Sequence, residues 1–245
     1  MGLEGENIIV TGGSRGLGRS MCVTFAGKGA NVAFSYSRDS DGAEETLRQA
    51  GVYGTRVKAF KASALDRQAM EEVVAEVDKD WGGVHALVNN AGVTQMLPMA
   101  LMEEEDWDAT MDVNVKGTYM ATRAVLRAMI RRRAGRILNI GSVAGIKMME
   151  SPVHYAASKA AIRGFTEALA KEMGRYGITV NCLAPGILEG GMGDMLPSYR
   201  LEDYLKHCPL GRVGKLSEIS LAAAFFISRE CSYMSGVTIV MDGGL

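Results

Sequence analysis

Asn7-Ile8-Ile9-Val10-Thr11-Gly12-Gly13-Ser14-Arg15-Gly16-Leu17-Gly18 is a short apolar run that passes directly into a glycine-rich turn. The β-branched residues Ile8, Ile9 and Val10, with no charge among them, read as a strand buried on both faces. The residues after Gly18, to about Lys28, read as a helix. Strand, glycine turn and helix in that order give the glycines a meaning. They let the backbone come close to a pyrophosphate, and the helix N-terminus offers free N–H groups and the positive end of a dipole. The spacing is GxxxGxG, not the GxGxxG of many dinucleotide enzymes. A glycine cluster on its own reads equally as a plain turn, so the flanking elements carry the argument.

Outward from that stretch the chain alternates. Asn31–Tyr36, Thr55–Lys61, Val84–Val88, Arg136–Ile140, Ile178–Leu183 and Val237–Met241 read as further strands. Helices are expected over about Gly42–Ala50, around Met70, Val73, Val74 and Val77, over Glu103–Arg131 as one long helix, over Pro152–Arg175, and from Ser217 to about Ser228. A loop and short helix occupy about Ile187–His207. This alternation predicts an α/β fold: a single doubly wound (Rossmann) parallel sheet of about seven strands, with helices on both faces and ligands at the C-terminal strand ends.

The 245 residues can bury one large core. No linker or repeat divides them, so a single domain over 1–245 is expected. With 47% hydrophobic and 22% charged residues and a net charge of −1, no general attraction to nucleic acid or to an anionic membrane is implied. The first residues show no basic region and no apolar stretch of a secretory signal, and no apolar run reaches membrane-spanning length. The four cysteines (Cys22, Cys182, Cys208 and Cys231) are scattered, which suits free thiols in a cytoplasmic protein and no metal site.

Ser151-Pro152-Val153-His154-Tyr155-Ala156-Ala157-Ser158-Lys159 carries the chemistry. Pro152 suits the first turn of a helix, so Tyr155 and Lys159 are i and i+4 on one face. An ammonium beside a phenol favours the phenolate and suits a proton donor and acceptor working near neutral pH. His154 points about 100° away around the helix and reads as a loop or substrate-pocket residue. Asp242 reads as structural. Ser37 and Arg38 end the second strand where an acidic residue would hold the ribose 2′-hydroxyl of NAD. With Arg15 in the glycine turn they suit a 2′-phosphate, hence NADP(H). Asp39, one or two residues beyond the usual acidic position, is the counter-argument.

Thr11-Gly12-x3-Gly16-x-Gly18, Asn89-Asn90-Ala91-Gly92, Asn114, Ser142, Tyr155-x3-Lys159 and Pro185-Gly186 stand in an order and spacing that closely resemble the short-chain dehydrogenase/reductase family over nearly the whole chain. Within it the chain is most similar to β-ketoacyl-[acyl-carrier-protein] reductases. The resemblance implies that Tyr155 protonates a carbonyl oxygen. It implies that Lys159 lowers the tyrosine pKa and holds the nicotinamide ribose, that Ser142 donates to the substrate oxygen, and that Asn114 holds a water linking Lys159 to solvent. The NADP(H) contacts it implies are Gly12, Ser14, Arg15, Gly16, Leu17, Gly18, Ser37, Arg38, Ser63, Ala64, Asn89, Ala91, Gly92, Tyr155, Lys159, Pro185, Gly186, Ile187 and Leu188. Two departures stand out. Ser63 replaces the usual acidic partner of the adenine amino group, and the glycine-containing segment Ile187–Asp194, read as a mobile lid, lacks the threonine that usually binds the carboxamide.

Met96, Met99, Met102, Met148, Met149, Met192 and Met195 fall in or beside the loops after strands four, five and six. They either line an adaptable site for acyl chains or fill irregular gaps. The resemblance makes Arg133 and Arg175 grips for an acidic carrier protein; favourable charges at a helix end are the other reading of the triplet Arg131-Arg132-Arg133. The expected reaction is NADP-dependent reduction of a β-ketoacyl thioester, carried on acyl carrier protein, in fatty-acid or polyketide-like biosynthesis. A same-fold dehydrogenase of a free alcohol, sugar or steroid is the alternative, and a non-catalytic cofactor-binding protein the third. Relatives pair their long helices across two-fold axes, which implies a homotetramer.

Overall fold

A computed structural model describes residues 2–190 and 197–245. Seven parallel strands form one sheet in the order β3-β2-β1-β4-β5-β6-β7. They are β1 (Asn7–Thr11), β2 (Asn31–Tyr36), β3 (Val57–Lys61), β4 (Ala86–Asn89), β5 (Gly135–Ile140), β6 (Ile178–Pro185) and β7 (Thr238–Met241). β1 lies mid-sheet, paired in register Asn7↔Asn31 with β2 and Ile8↔Ala86 with β4. From β1 the chain winds outward through β2 and β3, then crosses back to β4 and winds the other way. That reversal leaves a crevice beyond the C-terminal ends of β1 and β4.

Alternation along β1 builds the core on both faces. Ile8 and Val10 join Met21, Phe25, Phe34 and Phe226 on one side. Ile9 points to the other side, among Met70, Val73, Val125, Met129 and Ile137. The first layer is carried by α1 (Gly16–Gly27), α2 (Ser40–Gly51) and α8 (Leu216–Phe226). The second is carried by α3 (Arg67–Trp81), α5 (Gly117–Arg132) and α6 (Val153–Met173). α3 shows how the sequence sets an element. Asp66 caps it by accepting from the Ala69 N–H at 3.0 Å. Met70, Val73, Val74 and Val77 make the buried stripe, and Gly82 ends the helix at φ 84°. Each of those side chains contributes roughly 1.5–3 kcal/mol by burial.

The long helix expected over Glu103–Arg131 is not continuous. α4 (Glu104–Met111) is followed by a π-helical turn at Asp112–Lys116, and only then by α5. Asn114 sits within that turn. An extra residue in a single turn barely alters an apolar pattern, so periodicity alone reads straight through it. Pro152 lies one position before α6, as its cap. α7 (Ser198–His207) follows the undescribed segment. Among the described residues no helix is long and apolar enough to cross a membrane, and no cluster could hold a metal ion.

Candidate active site

A crevice of about 1540 Å³ opens along the C-terminal strand ends. One wall is the glycine turn. A Cβ on Gly18 would stand 2.0 Å from the Gly12 carbonyl oxygen, so only glycine fits there. Gly16, at φ +53°, faces open space. Arg15 precedes α1 without making a side-chain cap, which leaves first-turn N–H groups of the helix free for a ligand. A bare backbone cradle at a twelve-residue helix's N-terminus suits a pyrophosphate. The residues present therefore fit a dinucleotide.

Asn90 fastens this turn to β4. Its side-chain amide donates to the Thr11 and Gly12 carbonyls at 3.1 and 3.0 Å. The Thr11 hydroxyl accepts from the N–H groups of Asn90 and Ala91, both at 3.0 Å. The expected cofactor residue Asn89 is instead buried, donating to Thr122 and Asn139 away from the crevice. Strand alternation explains the exchange: neighbouring residues point to opposite sides.

At the far end of the glycine turn, Arg15, Ser37 and Arg38 are exposed and line one end of the crevice. Among the described residues neither arginine has an ion-pair partner. Asp39 lines the same end, but its carboxylate accepts from the Gly42 N–H at 2.9 Å as the cap of α2. Ser63 and Ala64 also line the crevice, with the Ser63 hydroxyl accepting from the Leu65 N–H at 3.2 Å.

The residues expected to react line the same crevice. β5 delivers Ser142, and α6 delivers Tyr155 and Lys159. Lys159 is 6% exposed. Its ammonium donates to the Ile140 carbonyl at 2.8 Å and lies 5.7 Å from the centre of the Tyr155 ring. Burial lowers its pKa to about 8. Burial raises the Tyr155 pKa, opposed by hydrogen bonding with Ser142. The net shift is upward, opposite to the expected depression by Lys159, because burial of the phenol dominates. Tyr155 is thus held as a neutral phenol, a proton donor. Asn114, also buried, donates to the Val93 carbonyl at 3.0 Å and to Ser158 at 2.9 Å, and accepts from the Val93 N–H at 2.8 Å. A Cβ on Gly92 would come 3.3 Å from the side-chain oxygen of Asn114 and 3.7 Å from the Lys159 nitrogen, so both groups face the same backbone.

Pro185, Gly186, Ile187 and Leu188 line the wall after β6, where the Ile187 N–H donates to the Tyr204 hydroxyl at 3.3 Å. Met96, Met148 and Met149 line the opening, whereas Met99 and Met102 do not. Met192 and Met195, and most of the segment read as a lid, lie outside the described residues. Asp242 is structural as expected, pairing with Lys147 at 2.6 Å and accepting from the Gly244 N–H. His154 is not a pocket residue. It is fully buried, near Asp106 of α4.

Arg133 and Arg175 are not brought to this crevice. Arg133 follows α5 and donates to the Arg175 carbonyl at 3.0 Å. Both residues precede their strands, so they lie at the N-terminal ends of the strands, about 20 Å away across six strand residues.

The sequence model of the short chain dehydrogenases matches residues 6–199. The chain belongs to the short-chain dehydrogenase family. Relatives within it are similar over the full length. The 3-oxoacyl-[acyl-carrier-protein] reductase FabG of Thermotoga maritima is 39% identical, over 100% of this chain and 99% of that one. The protein of the same name from Vibrio cholerae is 37% identical with the same coverage. Among solved structures, Levodione Reductase superposes with a TM-score of 0.93 at 28% identity, covering 98% of this chain and 97% of its own. A mutant short-chain dehydrogenase/reductase of Serratia marcescens gives 0.92 at 31% identity, covering 100% and 99%.

Asn90, within the quoted motif but not among the expected cofactor contacts, lines the crevice, and so do Lys147, Arg200 and Tyr204, which no sequence motif singles out. Asn90 is within reach of sequence reasoning, because it is the first residue past β4 and not the last within it. The others become visible only once α7 and the chain after β7 are folded over the opening.

Proposed function

We propose that this chain is an NADP(H)-dependent reductase of β-ketoacyl thioesters carried on acyl carrier protein, in fatty-acid or polyketide-like synthesis. The observation that carries this reading is the convergence of Ser142, Tyr155 and Lys159 beside the glycine cradle, in a chain aligned end to end with 3-oxoacyl-[acyl-carrier-protein] reductases. The cofactor, when bound, supplies the hydride. The chain supplies position and proton. Ser142 donates a hydrogen bond to the substrate carbonyl oxygen, and Tyr155 gives that oxygen its proton. The Lys159 ammonium stabilises the phenolate left behind and returns a proton to it. Asn114 fixes the loop after β4 beside Lys159, at the point where a proton re-enters from solvent. The exposed Arg15 and Arg38, with the Ser37 hydroxyl, take the 2′-phosphate, because the one nearby carboxylate, Asp39, is engaged as a helix cap.

The whole chain acts as one domain, built around the single sheet. Four free, buried thiols suit the reducing cytoplasm. Edge strand β7 and the outer face of α8 expose Leu221, Phe225 and Ile239, which supports assembly with further copies into a homotetramer. Arg133 and Arg175, joined by the bond from the Arg133 guanidinium to the Arg175 carbonyl, form the grip for the acidic carrier. The likeness to Levodione Reductase favours a second reading, reduction of a free carbonyl compound.

The test is NADPH consumption with acetoacetyl thioesters against a panel of sugars and steroids. Turnover confined to the panel would overturn the thioester reading. In the same assay Arg15→Ala with Arg38→Ala lowers the preference for NADPH over NADH by about tenfold or more, since charge-assisted bonds contribute about 1.5–3 kcal/mol each. A preference left intact would remove the two arginines from the phosphate site.

A further inference from the structure

We propose that Arg200, on α7, selects substrates that carry a phosphate on the thioester arm, and that Glu150 holds its place until such a substrate enters. This deepens the reductase reading and rests on it. The other cations of the crevice have partners or duties elsewhere. Lys159 is at the reacting end, and Arg15 and Arg38 are at the far end. Lys147 neutralises Asp242, whose side chain is only 7% exposed and has no other cation to turn to among the described residues. Arg200 differs because its partner is free to leave. Its guanidinium pairs with Glu150, which stands five residues before Tyr155 and is 66% exposed, while Arg200 itself is 23% exposed. Turning Glu150 out into water costs little; stripping Arg200 of every anion costs much more.

The remaining bonds of Arg200 are weak. One terminal nitrogen reaches only the Met96 thioether, at 3.8 Å, and the inner nitrogen donates to the Tyr199 hydroxyl at 3.2 Å. A thioether is a poor acceptor, so a planar fork built for two anionic oxygens has one good partner and one poor one. A phosphate satisfies both donors. Arg200 therefore spans the opening from α7 to Met96 in the loop after β4 and Glu150 in the loop after β5. Asp203, one turn further on, faces His207 at 3.9 Å. A neutral alcohol, sugar or steroid offers nothing to exchange for Glu150. A thioester on a phosphate-bearing arm does.

Acetoacetyl 4′-phosphopantetheine and acetoacetyl pantetheine differ only in the phosphate. The wild-type protein is expected to show a KM about tenfold or more lower for the first. Arg200→Gln brings the two KM values together without changing the ratio of the two kcat values. Glu150→Gln widens the gap, by removing the competitor. An unchanged KM ratio in Arg200→Gln, or a kcat ratio that changes while the KM ratio does not, overturns the proposal. Calorimetric binding of 4′-phosphopantetheine itself, to wild type and Arg200→Gln, separates this from the reductase reading. Weaker binding in the variant with no turnover of either ester leaves the phosphate site standing and removes the reductase assignment. Equal binding removes the phosphate site whatever the substrate.

Discussion

Tyr155→Phe lowers turnover by about 10²–10⁴-fold, the range contributed by a positioned general acid. The substitution removes one oxygen and its proton and leaves the ring. The packing of α6 beside Lys159 is kept, and the hydrogen bonding with Ser142 that is lost is worth about 1 kcal/mol. A thousandfold fall corresponds to about 4 kcal/mol of barrier, which cannot come from so small a structural change. The effect therefore reports the missing proton. NADPH affinity, read by nucleotide fluorescence, and the melting temperature should move little while kcat collapses. Turnover within tenfold of wild type would place the proton donor elsewhere. The pH profile gives a second reading. Burial keeps Tyr155 protonated through neutral pH, so reduction should run level there. It should fall on the alkaline side from about pH 8, where Lys159 loses its charge.

Lys159→Met abolishes measurable reduction and at the same time stabilises the fold at neutral pH. In the folded chain the lysine pKa is about 8, against 10.5 for the free side chain. Between those values the unfolded chain holds a proton that the folded chain has released, so stability rises with pH across that window. Below about pH 8 the full penalty of a buried charge is present, about 3 kcal/mol at about 1.36 kcal/mol for each pH unit. Losing the bond to the Ile140 carbonyl returns about 1 kcal/mol of that. The variant should then melt roughly 4–8 °C above wild type at pH 7. The advantage should shrink steadily from pH 8 to pH 10.5. A variant less stable at pH 7, by an amount independent of pH, would mean that Lys159 supports the fold by packing and not at the expense of it. The expected trade of stability for activity is common at catalytic positions.

Much of this is legible in the chain. The step from Val10 through Gly18, the matching bounds of β2, and the apolar stripe of α3 follow from local pattern, because strand alternation and helical spacing act over a few residues. Ser142, Tyr155 and Lys159 come together because each follows the end of a strand or opens the next helix. What differs from the expectation differs for physical reasons. Asn89 and Asn90 differ by one residue, and a one-residue change reverses which side a strand residue faces. Arg133 and Arg175 precede β5 and β6, so they stand at the other end of the strands from the crevice, and the carrier contact expected of them stays a proposal. His154 and Arg200 take their surroundings from α4 and from the loops after β4 and β5, contacts that no local pattern encodes. The direction of the Tyr155 shift depends on how dry the site is, which spacing on a helix does not reveal.

The wider turn at Asp112–Lys116 sets the phase between α4 and α5. A π-helical turn holds about one residue more than the α-helical turn it replaces. Removing a single residue from this segment would join α4 and α5 into the uninterrupted rod suggested by their apolar pattern. It would also rotate everything on one side of the join by about 100° relative to the other. Asn114 could then no longer face Val93 and Ser158 while α5 kept its buried face on the sheet. The extra residue thus lets one continuous segment satisfy two partners that lie out of phase, and a chain without it would have to surrender one of them.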